Sequence, residues 1–254
     1  IIRLVFPDPL SPTIEIVSFF FVVKLISFKT LMLSLPVWYL RFTLFNLRRV
    51  LMNKSLIIKI FIICLITINA SAAEKIVLFG DSLMAGYGLK KEDRLSTILE
   101  NKLRNKGYNI NIVNASVSGD TSAGGLNKIN WTLSEKDIDI LILGLGANDM
   151  LRGIKPEETK KNLEKIIKIT LNKKINLILA GMVAPTSHGD KYKKEFDEIY
   201  TSLSKKYNLI FIPFLLEGVA FKPEFNLEDG IHPNPNGVKI ISKTIEEKLI
   251  SILN

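Results

Sequence analysis

The chain has 254 residues, of which 47% are hydrophobic and 23% charged, so a disordered tail and a fibre are both excluded. Its net charge is +9, but residues 73–254 hold 26 basic and 23 acidic residues, so a dedicated nucleic-acid surface is not supported. A single cysteine, Cys64, excludes an internal disulfide, and two histidines, His188 and His232, do not favour a multi-histidine metal centre.

Residues 1–51 lack the periodicity of a helix or a strand. Their two apolar stretches, Ile16–Val23 and Leu31–Leu40, are interrupted or separated by lysines and a proline. A signal pattern that belongs at an N-terminus begins only at Met52. We therefore expect residues 1–51 to be a non-native N-terminal extension from an over-extended reading frame. The alternative is a genuine membrane-associated segment.

Residues 52–72 have the pattern of a secretory signal peptide. Lys54 supplies a short positive region, Leu56–Ile68 is largely apolar, and Ala70-Ser71-Ala72 is a small-x-small cleavage site. We expect cleavage after Ala72 or the next residue, a periplasmic location, and no stable membrane anchor afterwards. An uncleaved anchor is the alternative, although the apolar stretch is short for a spanning helix.

From residue 73 onwards, strand and helix patterns alternate along the chain. Short apolar runs predict strands at Lys75–Phe79, Ile110–Val113, Ile138–Leu143, Ile175–Ala180 and Leu209–Phe214. Apolar residues spaced three and four apart predict helices at Arg94–Lys106, Leu126–Leu133, Pro156–Asn172, Tyr192–Tyr207 and Gly237–Leu253. This alternation predicts one α/β domain over residues 73–254, with a five-stranded parallel sheet and helices on both faces.

Active sites in such sheets lie beyond the carboxyl ends of the strands, so the residues that follow each strand are the candidates. Ser82 follows the first strand on a tight strand-to-helix turn, which suits a nucleophile but also an ordinary N-cap. Gly119 follows the second strand, and its backbone N–H is a candidate donor to an oxyanion. Asn148 follows the third strand and offers a side-chain amide. Loop geometry alone also fits both residues, and Asp149 is expected to be structural.

One loop after the fifth strand carries an acid and a histidine. Asp229 precedes His232 by three residues, so its carboxylate can orient the imidazole. A histidine oriented in this way can take a proton from a serine hydroxyl. We therefore favour a catalytic role for this pair over an ordinary surface histidine.

Together these motifs resemble the SGNH (GDSL) hydrolase family, named for its Ser, Gly, Asn and His residues. The resemblance covers nearly all of residues 75–252 and is strongest at 80–88, 114–122, 146–153 and 229–234. Within the family these segments are similar to the bacterial periplasmic branch, which includes acyl-CoA thioesterases, lysophospholipases and arylesterases.

The resemblance implies a fold and a set of roles. The fold would be a flavodoxin-like three-layer α/β/α sandwich with strand order 2-1-3-4-5. Ser82 would be the nucleophile, His232 the general base and then acid, and Asp229 the orienting carboxylate. The backbone N–H groups of Ser82 and Gly119 and the side chain of Asn148 would hold the oxyanion. The reaction would need no metal and no cofactor.

The substrate is expected to be a small-molecule acyl ester or thioester, and the protein a monomer that binds no nucleic acid. Apolar residues beside the motifs are candidates for an acyl groove; they are Met84, Leu145, Met150, Leu151 and Ile154. Some of them fit the core equally well. His188, in the loop after the fourth strand, is expected to face solvent near the rim of the site.

Two other functions compete with an acyl-ester hydrolase. A carbohydrate O-deacetylase of the same family would favour aromatic groove residues for sugar stacking, and residues 73–254 contain one tryptophan, Trp131. A non-catalytic binding domain would use the same crevice, but it has no need of a base beside a serine.

Overall fold

The structure, a computed structural model, describes residues 73–253, so the predictions for residues 1–51 and 52–72 lie outside the described residues. Five parallel strands form one sheet; they are β1 (Glu74–Gly80), β2 (Ile110–Asn114), β3 (Ile140–Gly144), β4 (Asn176–Ala180) and β5 (Ile210–Ile212). The strand order is β2-β1-β3-β4-β5. The predicted α/β fold and its strand order are therefore confirmed.

Seven α-helices connect the strands. They are α1 (Ser82–Ala85), α2 (Leu95–Asn105), α3 (Ser122–Thr132), α4 (Ala147–Leu151), α5 (Pro156–Asn172), α6 (Asp190–Tyr207) and α7 (Pro235–Ile250), all within residues 73–253. Short 3₁₀ turns lie at Lys91–Asp93, Thr186–His188 and Pro223–Phe225. Helix α3 begins four residues before its predicted start, because the Thr121 side chain caps it by accepting from Gly124 N.

The helices cover both faces of the sheet. Helices α3, α5 and α6 pack side by side on one face, and α2 packs against α7 on the other. Strand β3 is buried along its whole length, and β1 is buried from Ile76 to Gly80, because both strands have helices above and below them. This arrangement explains why their sequences are continuous apolar runs rather than alternating ones.

The carboxyl ends of β1 and β3 approach each other closely at two glycines. Gly80 pairs with Gly144 across the ladder, and a Cβ on either residue would collide with the Met84 side chain. The missing Cβ atoms therefore leave the space that Met84 fills. Met84 is fully buried here, and it holds the short helix α1 against the end of the sheet.

No helix within residues 73–253 combines the length and the hydropathy needed to cross a bilayer.

Candidate active site

Ser82 is the first residue of α1, directly beyond the carboxyl end of β1. Asp81 caps this helix, because its Oδ1 accepts a hydrogen bond of 3.1 Å from Leu83 N. Asp81 is 1% exposed, and its Oδ2 has no hydrogen-bond partner among residues 73–253. Burial, with a smaller contribution from the negative charges of Asp149 and Asp120, raises the pKa of Asp81 to about 7, although the hydrogen bond from Leu83 N opposes the rise.

His232 lies between Ser82 and Asp229. Its Nε2 is 2.9 Å from Ser82 Oγ, and its Nδ1 is 2.7 Å from Asp229 Oδ2. An ionised Asp229 fixes the tautomer in which Nδ1–H donates to the carboxylate, which leaves the Nε2 lone pair facing the serine hydroxyl. The structure thus brings together the three side chains that sequence reasoning proposed as a triad.

The Asp229 carboxylate is itself held by backbone donors. Its Oδ1 accepts hydrogen bonds of 2.9 Å from the backbone N–H groups of both Ile231 and His232. The His232 backbone bond is the largest cause that lowers the pKa of Asp229, which falls to about 2 although partial desolvation opposes it. Asp229 is therefore a carboxylate throughout the neutral range, which is the state that an orienting partner of His232 would need.

The loop that carries His232 is fastened on both sides. Leu227 N donates to His232 O at 2.7 Å, and the buried Asn226 donates from Nδ2 to Val219 O at 2.8 Å. The Tyr87 ring packs on the imidazole with the ring centroids 4.4 Å apart. Sequence reasoning did not include Tyr87 in the site. Its position five residues after Ser82, within the motif at residues 80–88, was the available signal that its ring lies near the site.

The two predicted side donors, Gly119 and Asn148, come from neighbouring segments. Asn148 lies in α4 and donates from Nδ2 to Asp120 O at 3.0 Å, so one amide hydrogen is still available. Gly119 has φ +81, and its backbone N–H makes no hydrogen bond to another of residues 73–253. Arg152 Nη2 donates to Gly119 O at 2.9 Å, which ties this glycine to the end of α4.

A buried carboxylate clamps these two segments together. Asp149 is fully buried, and its Oδ2 accepts from Ser122 N at 2.7 Å while Oδ1 accepts from the Ser122 hydroxyl. Thr159 Oγ1 also donates to Oδ1, at 3.2 Å. Asp149 therefore joins helix α4, which carries Asn148, to the start of α3, just after Gly119. This matches the structural role expected for it.

An open cavity of about 220 Å³ lies beside Ser82, Asn148 and His232. Most of its other lining is apolar, and comes from Leu83, Ala147, Met150, Leu151, Met182, Val183, Pro185, Phe214, Leu216, Ala220, Phe221 and Ile231. Much of that lining belongs to the segments after β4 and β5. Sequence reasoning placed the loop after the fourth strand near the rim of the site, but it assigned neither segment to the acyl groove. The apolar run of residues 214–221, which is neither a regular strand nor a helix, was the available signal.

Only two of the five predicted groove residues, Met150 and Leu151, line this cavity. The prediction is wrong for the other three. Met84 is fully buried beneath the ends of β1 and β3. Leu145 is 1% exposed and packs at Gly125 of α3. Ile154 is half-buried, and its carbonyl accepts from Tyr192 Oη at 2.9 Å.

His188 is not among the cavity residues. It lies in a 3₁₀ turn, partly exposed, and its ring stacks on Tyr192 with the centroids 5.1 Å apart. The sequence predicted a ring that faces solvent, but the ring is only partly exposed, because it stacks on Tyr192. Its placement outside the cavity separates it from the Ser82 hydroxyl.

Comparison with known proteins extends these observations. Residues 78–240 match the family described as GDSL-like Lipase/Acylhydrolase. The chain is 33% identical to an arylesterase of Vibrio mimicus over 184 residues, which is 72% of this chain and 92% of the relative. It is also 33% identical over 190 residues to thioesterase 1/protease 1/lysophospholipase L1 of Escherichia coli K12, covering 75% of this chain and 90% of that protein.

A solved structure gives the same picture. The crystal structure of AlinE4, an SGNH-hydrolase family esterase, superposes with a TM-score of 0.61 and 41% identity, covering 72% of this chain and 99% of AlinE4. At 41% identity, this chain resembles AlinE4 in sequence as well as in fold.

Proposed function

Since this chain belongs to the GDSL-like lipase/acylhydrolase family and is an ester hydrolase that acts on small-molecule esters, we propose that it cleaves acyl esters and thioesters through an acyl-serine on Ser82. The proposal assigns His232 as general base and acid, and Asp229 as its orienting carboxylate.

The observation that carries this proposal is the line of three side chains at the cavity wall. The 2.9 Å separation of His232 Nε2 from Ser82 Oγ lies within the range that proton transfer requires. The 2.7 Å contact of Asp229 with Nδ1 supplies the third group that orients the base. A binding domain would have no use for an oriented base at a serine.

In the first half of the reaction, Ser82 Oγ attacks the carbonyl carbon and its proton passes to His232 Nε2. The tetrahedral intermediate collapses when the bond to the leaving group breaks, and the imidazolium donates its proton to that alcohol or thiol. In the second half, water attacks the acyl-serine, again giving a proton to Nε2. His232 then returns this proton to Ser82 Oγ as the acid departs.

The negative charge of each intermediate would be held by three donors. They are the backbone N–H groups of Ser82 and Gly119 and the free hydrogen of the Asn148 amide. Two contacts support this assignment: the Asp149 clamp fixes the two donor segments relative to each other, and the Asn148 amide is oriented by Asp120 O. Donors fixed in advance stabilise developing charge without reorganising.

The apolar cavity supports an acyl chain as the specificity element. Twelve of the cavity's residues are apolar, and Ser82 lines the same cavity, so an acyl chain bound there would lie beside the serine hydroxyl. The names of the relatives, an arylesterase and a thioesterase/lysophospholipase, point to the same substrate classes. Trp131, which a sugar deacetylase would use for stacking, is not part of this cavity.

Labelling and a hydrolysis panel test the proposal. A fluorophosphonate probe is expected to modify wild-type protein at Ser82 and to leave Ser82→Ala unmodified. The panel contains aryl acetates, p-nitrophenyl esters of increasing chain length, acyl-CoA, lysophospholipid and acetylated sugars. Turnover of acyl-chain substrates by wild type and its loss in Ser82→Ala are expected. Wild-type rates in Ser82→Ala would exclude the nucleophile assignment.

The same panel decides between the proposal and a carbohydrate O-deacetylase. A deacetylase would hydrolyse acetylated sugars and show no gain as the acyl chain lengthens. An acyl-ester hydrolase is expected to show kcat/KM rising with chain length until the cavity is filled, because each buried methylene contributes about 0.8 kcal/mol.

We also propose that the functional protein begins after residue 72 or 73, is exported to the periplasm, and acts as a monomer. The signal pattern of residues 52–72 supports export. N-terminal sequencing of native protein tests this, because a peptide from residues 1–51 would contradict it. Size-exclusion chromatography with light scattering tests the monomer.

A further inference from the structure

Exposed apolar side chains concentrate around the mouth of the active site. Within residues 73–253, the exposed large apolar residues are Tyr87, Val117, Trp131, Leu151, Val183, Phe221 and Ile231. Four of these seven line the cavity itself. Tyr87 packs on the His232 ring, and Val117 belongs to the loop that carries Gly119. Trp131 alone, at the end of α3, lies elsewhere.

A substrate groove does not by itself account for this ring. A groove that only binds an acyl chain needs apolar walls that face inward, whereas Phe221 is 83% exposed and Leu151 is 53% exposed. Val117 is 47% exposed and is not a cavity residue. Large apolar surfaces that are continuous with a binding site commonly mark contact with a partner or a lipid surface.

Phe221 is held outward by its backbone. Its φ is +61, in the left-handed region that bulky residues rarely adopt. Such conformations persist where the surrounding structure imposes them, and they cluster at functional sites. The flanking residues do impose it here, since Asn226 Nδ2 donates both to Val219 O and to Lys222 O, at 2.8 Å each.

The charges of the rim are mixed. Two exposed cations directly follow apolar rim residues: Arg152 follows Leu151, and Lys222 follows Phe221. Exposed carboxylates of the same region, Glu228 and Asp229, balance them. A rim of balanced charge with protruding apolar side chains suits a zwitterionic surface better than a strongly anionic one.

From these observations we propose that the ring Tyr87, Val117, Leu151, Val183, Phe221 and Ile231 docks the mouth of the active site onto a zwitterionic phospholipid or lysophospholipid surface. The proposal rests on the proposed acyl-ester substrate. Docking places the cavity opening against the lipid, so an acyl chain can move from the aggregate into the apolar cavity without crossing water. The ester would then lie beside Ser82.

Vesicle flotation tests the docking without turnover. The exported protein carrying Ser82→Ala is mixed with phosphatidylcholine vesicles that contain lysophosphatidylcholine, and its partition coefficient is measured. Adding Phe221→Ser is expected to lower that coefficient about tenfold, because the variant loses the apolar area that one phenylalanine side chain buries in the lipid. Adding Val117→Ser, at a site outside the cavity, is expected to lower it about threefold.

Trp131→Ser is the matched control, because Trp131 is 80% exposed but lies away from the mouth. It is expected to change the coefficient less than twofold. Circular dichroism melting of each variant verifies that it is folded. Failure of the Ser82→Ala parent to float would overturn the proposal. So would a Trp131→Ser effect as large as that of Phe221→Ser, or a Phe221-dependent dimer with no lipid binding.

A second assay distinguishes a failure of docking from a failure of the proposed chemistry. Hydrolysis of monomeric p-nitrophenyl butyrate by protein with Ser82 intact reports on the ester hydrolase alone. Active enzyme that does not bind vesicles would overturn docking and leave the proposed function standing. Vesicle binding without any ester hydrolysis would do the reverse.

Discussion

Two regions of the candidate site are built in opposite ways. One is the edge of the sheet that carries Ser82, Gly119, Asn148, Asp229 and His232, here called the catalytic edge, and the other is the apolar cavity beside it. At the catalytic edge, each group is fixed by hydrogen bonds to an atom with a set position, as Asp229 is by the backbone of Ile231 and His232. The cavity is lined by side chains from segments far apart in the chain, such as Met150, Met182 and Leu216, with no shared hydrogen bonds. Directional contacts fix a single geometry, whereas apolar contacts fix only a volume.

This contrast predicts that substitutions at the catalytic edge act mainly on kcat, whereas substitutions in the cavity act on the choice of acyl chain. Substitutions at His232, Asp229, Asn148 and Ala220 test this division, and a substitution at Asp81 tests the stability of the catalytic edge. They are ordered by the size of the effect that we expect.

The largest effect is expected for His232→Ala, which removes the proposed base, whose Nε2 contacts Ser82 Oγ. We expect kcat to fall by at least about 10³, as in other serine–histidine triads. Asp229→Asn should approach this loss, because the amide allows the wrong imidazole tautomer. Since the pKa of Asp229 is about 2, this carboxyl is ionised at every pH from about 5 to 8, so the orienting contact that Asp229→Asn removes is present in wild type over that whole range. Steady-state kinetics with a p-nitrophenyl ester measures both.

His188→Ala is the matched control, because this second histidine stacks on Tyr192 outside the cavity. We expect a loss of less than about tenfold. If His188→Ala were the inactive variant and His232→Ala were active, the assignment of the base would be wrong.

Sequence reasoning assembled this edge from motifs that recur after several strands, although Ser82, Gly119 and Asn148 taken singly also fit capping or loop geometry. Ser82 and Asn148 lie within the segments that follow β1 and β3, and Asp229 lies three residues from His232. It failed for the cavity because closeness in sequence to a motif does not say which way a side chain points. Met84, two residues after Ser82 on α1, lies on the side of that helix that faces the sheet. The segment 214–221 reaches the cavity only through tertiary packing.

Asn148→Ala should lower kcat by about 10²–10³, because it removes one proposed oxyanion donor. The Asp149 clamp is independent of the Asn148 side chain, so helix α4 should stay in place. Asn162→Ala is the control: Asn162 donates to Ser122 Oγ within the same polar cluster but does not line the cavity. Its kcat should change much less. A change in KM alone for Asn148→Ala would indicate ground-state binding instead.

Asp81 tests whether the catalytic edge carries a cost in stability. Because its folded pKa of about 7 exceeds the usual 3.8, its contribution is fully present below pH 3.8 and is lost as the pH rises through 7. We expect the free energy of unfolding of wild type, relative to Asp81→Asn, to fall by roughly 2 to 4 kcal/mol between pH 4 and 8. Urea denaturation across this range measures it.

The exposed carboxylate Glu92 provides the comparison for Asp81. The difference in unfolding free energy between wild type and Glu92→Gln should vary much less over the same pH range. A wild-type stability that rises through pH 7 relative to Asp81→Asn would contradict a buried carboxyl with a raised pKa.

The smallest effect is expected in the cavity, at Ala220. This residue lines the cavity and is partly exposed, so Ala220→Trp can reduce the space for an acyl chain. We expect KM for a long-chain p-nitrophenyl ester to rise about tenfold, equivalent to losing roughly two buried methylenes. For p-nitrophenyl acetate, whose acyl group barely enters the cavity, the rise should be much smaller. Ala123→Trp, exposed on α3 and outside the cavity, should affect neither ester appreciably. Equal losses on both esters, carried by kcat, would mean that Ala220 helps to hold the catalytic edge, and the division between the two regions would fail.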